Sequence, residues 1–186
     1  MPRRTTVRFA FGAATLILFA LVAPVSTSAA ATPTTKTTAK SDAPPFARVY
    51  LALRGCTSCA HCRTSIRQMV RSNAKGGEAT FGEDRVEVRY PTPRSVPLRE
   101  VIHSLAQSRL HDLSVVDVLF EATGTVSVGA DGSHRFVVDK TGQSFPIELG
   151  SAAAGPTPGP VRLTALVQGW RGKGSLSLVA REVKGA

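Results

Sequence analysis

Apolar residues in this chain follow two different periods, and the point where one of them stops constrains the fold more than any other feature. "RVYLAL" (Arg48 to Leu53) is a strand-like run, after which Ile66, Met69 and Val70 recur at helical spacing until Ser72-Asn73 and Gly76-Gly77 end that pattern. "EATF" (Glu78 to Phe81) is a short strand candidate, and "RVEVRY" (Arg85 to Tyr90) alternates, with Val86, Val88 and Tyr90 on one face. Pro97 opens a second helix in which Leu98, Val101, Ile102 and Leu105 fall at i, i+3, i+4 and i+7. "LSVVDVLFEA" (Leu113 to Ala122) returns to a strand pattern. Beyond about Glu121 the helical period is gone. "TGTVSV", "HRFVVD", "QSFPIEL", "VRLTALVQGW" and "GSLSLVARE" read as short strands separated by Asp131-Gly132, Thr141-Gly142, a Gly/Pro/Ala-rich loop and Gly172 to Gly174.

This order predicts an α+β chain in two modules. Strand, helix, strand, strand, helix, strand is the split βαβ, or ferredoxin-like βαββαβ, plan, expected over residues 46–121. A small all-β module, barrel or OB-like, is expected over residues 122–186.

The N-terminus reads as a targeting segment. Arg3, Arg4 and Arg8 precede an apolar run from Phe9 to Val22, and Ala29 to Ala31 supply the small-residue cleavage pattern, so residues 1–31 are expected to be a signal peptide. The run is shorter than the roughly 20 residues that span a bilayer and Pro24 interrupts it, so membrane contact is expected only through this segment if it stays uncleaved. Residues 32–45, "TPTTKTTAKSDAPP", have no apolar period and read as a flexible leader. A secreted or periplasmic location follows, where disulfides are permitted. Removing the three leader arginines from 23 basic residues leaves 20 against 13 acids, a net of +7. That excess is scattered rather than run together, which points to a solubilising surface and away from nucleic acid.

All three cysteines lie in "GCTSCAHC": Cys56, Cys59 and Cys62, with His61 between the last two. Cysteine binds soft metals as thiolate, and a pair two residues apart at a helix start can place both sulfurs around one ion. The helix dipole and Arg63 favour the thiolate form there. Structural zinc normally takes four ligands and an iron–sulfur cluster needs a fourth, so neither is expected. The same pair also describes a thiol–disulfide oxidoreductase, although the module is short for a thioredoxin-like fold and no tryptophan precedes the pair. A non-metal-binding interaction module is a third reading. His103 and His134 have no Ser/Asp partners that form a hydrolytic motif, so no other enzyme is expected.

"VYLALRGCTSCAHCRTSIRQMV" resembles the heavy-metal-associated domain of copper chaperones and periplasmic mercury-binding proteins. In that resemblance Gly55 matches the loop glycine, Cys59-Ala60-His61-Cys62 the metal-binding pair, and Ile66 with Met69 or Val70 the helix core, over about Arg48 to Glu121. One extra residue separates Gly55 from Cys59, and Thr57 or Cys56 stands where the family has methionine. The resemblance implies an exported metal-trafficking, buffering or detoxifying protein whose cargo is Cu(I), with Hg(II) or Zn(II) as alternatives. Cys59 and Cys62 would be the ligands and Cys56 an optional third. It also implies a metal-transfer partner protein, a basic docking stripe of Arg63, Arg67 and Arg71, and His111 as a neighbour of the metal.

Overall fold

The computed structural model describes residues 45–55, 57–82, 84–108, 110, 113–150 and 159–186. The expected signal peptide and all of the leader but Pro45 lie outside the described residues, as do Cys56 and His111. The described elements are β1 (Ala47–Arg54), α1 (Ala60–Asn73), β2 (Glu78–Phe81), β3 (Arg85–Tyr90), α2 (Leu98–Ala106), β4 (Ser114–Val128), β5 (His134–Val138), β6 (Ser144–Glu148), β7 (Val161–Gln168) and β8 (Ser177–Gly185).

Each element buries the face its sequence spacing selects. In β1, Ala47, Val49, Leu51 and Leu53 point inward, and in β3 Val86, Val88 and Tyr90 do the same. Cys62, Ile66 and Val70 form the buried stripe of α1; Leu98, Val101, Ile102 and Leu105 form that of α2. The helices pack against each other, α1 also meeting β2 and α2 meeting β4. Burying each large aliphatic side chain contributes about 1.5–3 kcal/mol. That is enough to fix α2, whose nine residues make too short a helix to persist alone.

All eight strands belong to one sheet, in the order β2-β3-β1-β4-β5-β6-β8-β7, and β4 pairs additionally with β7. That last pairing closes β4, β5, β6, β8 and β7 into a five-stranded barrel, with β6 and β8 parallel and the other barrel pairs antiparallel. Phe120, Phe136, Phe145, Leu163 and Leu178 fill its interior, Phe120 meeting Phe145 edge to face at 5.6 Å between ring centroids.

The expected fold class is therefore corrected. The described residues are mostly β, 47% strand against 18% helix, with a closed barrel and two helices. This is not a ferredoxin-like βαββαβ domain followed by a small all-β, barrel or OB-like module. The physical reason is β4. Its 15 residues pair with β1 along Ser114–Ala122, with β7 along Leu119–Gly124 and with β5 along Gly124–Val128. Residues 119–122 are bonded on both sides, so β4 has no open edge at which a first domain could end. The boundary expected between residues 121 and 122 falls inside this strand.

On the face of the sheet away from the helices, polar side chains bond to one another. Tyr50 donates its hydroxyl to Glu121 Oε2 at 3.1 Å and accepts from Arg48 at 3.2 Å, while Arg162 on β7 meets Glu121 Oε1 at 2.5 Å. Glu87 meets Arg89 at 2.8 Å and Arg48 at 3.5 Å. These contacts join β3, β1, β4 and β7 across the face.

Candidate functional site

The cysteine segment lies between the end of β1 and the start of α1. Gly55 sits at φ 111°, a left-handed conformation that a residue with a Cβ adopts only under strain, and it turns the chain out of the sheet. Cys59 then caps the helix. Its backbone is extended (φ −70°, ψ 145°), its carbonyl accepts the first helical hydrogen bond from Arg63 N at 3.0 Å, and its Sγ accepts from Cys62 N at 3.2 Å. A sulfur thus takes the place that a serine or aspartate oxygen fills at most helix starts.

The two sulfurs occupy different surroundings. Cys59 is half-buried, whereas Cys62 is 0% exposed and heads the buried stripe that continues through Ile66 and Val70. His61, between them, is exposed, as the outward phase of the helix requires. The amide N–H at Cys59 Sγ and the positive end of a 14-residue helix both favour negative charge on that sulfur. The helix carries no acidic residue in its first turn to oppose this.

Arg63, Arg67 and Arg71 are exposed along one side of α1. Arg63 folds back so that its Nε donates to Thr57 O at 3.3 Å, fixing the loop before the cap, and Arg67 lies over the Phe81 ring at 5.2 Å. Two of the three are therefore partly engaged in holding α1 to its surroundings.

Among the described residues no group of three or more His, Cys, Asp or Glu side chains is gathered at one point. Cys59 and Cys62 are close, and His61 does not join them on the buried side. A donor set of two sulfurs suits a thiophilic ion that accepts low coordination; it does not suit a four-coordinate structural ion. The sequence did not lead to a second feature, a cleft of about 730 Å³ among α2, β5, β6 and the β7–β8 connection, which lies away from the cysteines. Its residues come from segments that no single motif joins.

The fold and site together define a mostly β protein with one continuous sheet, a closed barrel, and a Cys-x-x-Cys pair at the head of a helix packed on the sheet. No known protein family, curated protein or solved structure matches the chain.

Proposed function

We propose that the chain binds one soft, thiophilic metal ion through Cys59 and Cys62, for trafficking, buffering or detoxification. The observation that carries this reading is the placement of both sulfurs at the start of α1, Cys59 as its cap and Cys62 in its first turn, with the Cys59 sulfur held by the Cys62 amide. Cu(I) fits this donor set best and Hg(II) fits it as well, whereas Zn(II) would require ligands beyond the two described sulfurs. The asymmetry of exposure gives an order of exchange. An incoming thiolate from a transfer partner reaches the ion beside half-buried Cys59 first, displaces that sulfur, and then takes the ion from buried Cys62.

The test is metal competition with the reduced protein, using a chromogenic Cu(I) chelator and, separately, Hg(II). One equivalent is expected to bind. Cys59→Ser and Cys62→Ser are each expected to weaken binding at least 100-fold, and Cys56→Ser less than 10-fold. Loss of binding in Cys56→Ser with retention in Cys59→Ser would refute the assignment. Folding is monitored in parallel. Serine is itself a good helix cap, so Cys59→Ser keeps its stability, while Cys62→Ser buries a hydroxyl and costs about 1–3 kcal/mol.

One observation favours a second reading. A half-exposed sulfur at a helix cap followed by a buried one is also what thiol–disulfide exchange uses, the outer sulfur attacking and the inner one resolving the mixed disulfide. Catalysed reduction of insulin disulfides that disappears in Cys59→Ser, without tight metal binding, would select that reading.

A further inference from the structure

Three cations converge on the cleft of about 730 Å³: Arg99 near the start of α2, Arg135 on β5 and Lys173 in the β7–β8 connection. Ser144 and Ser175 add hydroxyls to its wall, and Phe145, Pro146 and Leu176 add apolar surface. No carboxylate lines it, and among the described residues none of the three cations is paired with one. Three acids stand nearby. Asp131 accepts from Ser133 N at 3.0 Å and Ser133 Oγ at 2.7 Å, bonds that hold its carboxyl below the usual carboxylate range with a smaller contribution from the charge of Arg135, which it does not contact as an ion pair. Glu148 stands two residues beyond Pro146 on β6, and Glu100 lines the adjoining cleft at the start of α2.

The cationic wall is also held in place. Arg99 donates to the carbonyls of Gly172 and Gly174, which flank Lys173, and Arg171 donates to Val116 O at 2.7 Å while stacking on Trp170 at 4.6 Å. Across the cleft Arg135 Nε donates to Ser144 Oγ at 2.9 Å, which orients its guanidinium and leaves its outer N–H groups available. Holding three like charges together costs repulsion, and a bound anion removes it. The volume lies within the roughly 300–1,000 Å³ typical of small-molecule sites and exceeds what one phosphate would fill.

We propose that this cleft binds a ligand bearing two or more phosphate or sulfate groups, its anionic oxygens on Arg135 and Lys173, with the charge of Arg99 and those of its N–H bonds not given to Gly172 and Gly174 adding to the attraction, and its framework against Pro146 and Leu176. The site uses neither cysteine and is independent of the metal-binding reading. Guanidinium groups suit such oxyanions because their N–H donors form paired bonds to two oxygens.

The probes are inorganic tripolyphosphate and sucrose octasulfate, titrated calorimetrically into the purified protein. At least one is expected to bind in the micromolar range. Arg135→Gln/Lys173→Gln, both exposed positions, is expected to weaken binding at least tenfold; Arg181→Gln/Lys184→Gln, the same charge change further along β8, less than twofold. Equal losses in the two double variants would mean attraction to net charge and would overturn the site. So would failure of both probes to bind at 1 mM. Amide shifts on the unmodified protein give a second readout: perturbation at Ser144 and Ser175 supports the cleft, and perturbation confined to Arg63, Arg67 and Arg71 on α1 refutes it.

Discussion

Tyr90 closes β3 with its side chain wholly buried, and its hydroxyl has no hydrogen-bond partner among the described residues. Burial pushes its pKa well above the ordinary tyrosine value, and the charge of Glu100 adds to the rise against a smaller opposing effect of Arg94. A folded-state pKa raised by burial costs nothing below the unfolded value of about 10, where the phenol is neutral in both states, and lowers stability as pH rises from there toward the folded value, because the unfolded chain ionises first. Urea midpoints measured from pH 8 to pH 11.5 should therefore fall more steeply above pH 10 in the native protein than in Tyr90→Phe. At pH 7 that variant should be as stable or more so, by up to about 1 kcal/mol, because it removes a buried hydroxyl that bonds to nothing. A variant that loses 2 kcal/mol at pH 7 would show that the hydroxyl is satisfied.

At the scale of elements, β4 decides the architecture and Gly124 decides β4. A Cβ at Gly124 would lie 2.3 Å from the carbonyl oxygen of Val137 and 2.7 Å from the ring of Phe136, so β5 can approach there only because the side chain is absent. This is the residue at which β4 pairs with β5 on one side and β7 on the other. Gly124→Ala forces backbone apart at the barrel seam and is expected to cost about 3 kcal/mol, the upper end of overpacking effects, read as a drop in the denaturation midpoint. A loss under 1 kcal/mol would mean the seam can open without strain. The same residue explains what was legible in the sequence. Local period located the strands and helices, and the helix start at the cysteine pair, because each buries one face regardless of its neighbours. In "EATGTV" the Thr-Gly-Thr step weakens the strand signal, so β4 reads as two strands in two modules. Pairing between β4 and β7, about 40 residues apart, leaves no local trace. The cleft was illegible for a related reason, since Arg99, Arg135, Ser144 and Lys173 come together only through barrel closure.

At the scale of the whole molecule, the continuous sheet makes a claim about cooperativity. Residues 41–186 cluster as one compact unit. Besides β4, the Gln143 side chain ties the barrel to the segment entering α2. Its Oε1 accepts from Val96 N at 2.8 Å and its Nε2 donates to Val96 O at 2.9 Å, satisfying both backbone groups of a buried residue. Arg99 and Arg162 add contacts from α2 to the β7–β8 connection and from β7 to Glu121. Separate modules would unfold separately, but here loss of the barrel removes the partner of one whole side of β4, and loss of β1 removes much of the other. The helices lie in one half and Trp170 at the end of β7 in the other, so two probes report on the two halves. Helical ellipticity at 222 nm and Trp170 fluorescence should give superimposable urea transitions with one midpoint, as expected of a single cooperative unit of this size. Resolved midpoints, with fluorescence changing before ellipticity, would show that the barrel opens while β1, β3 and the helices stay folded, and that β4 transmits less than its pairing implies.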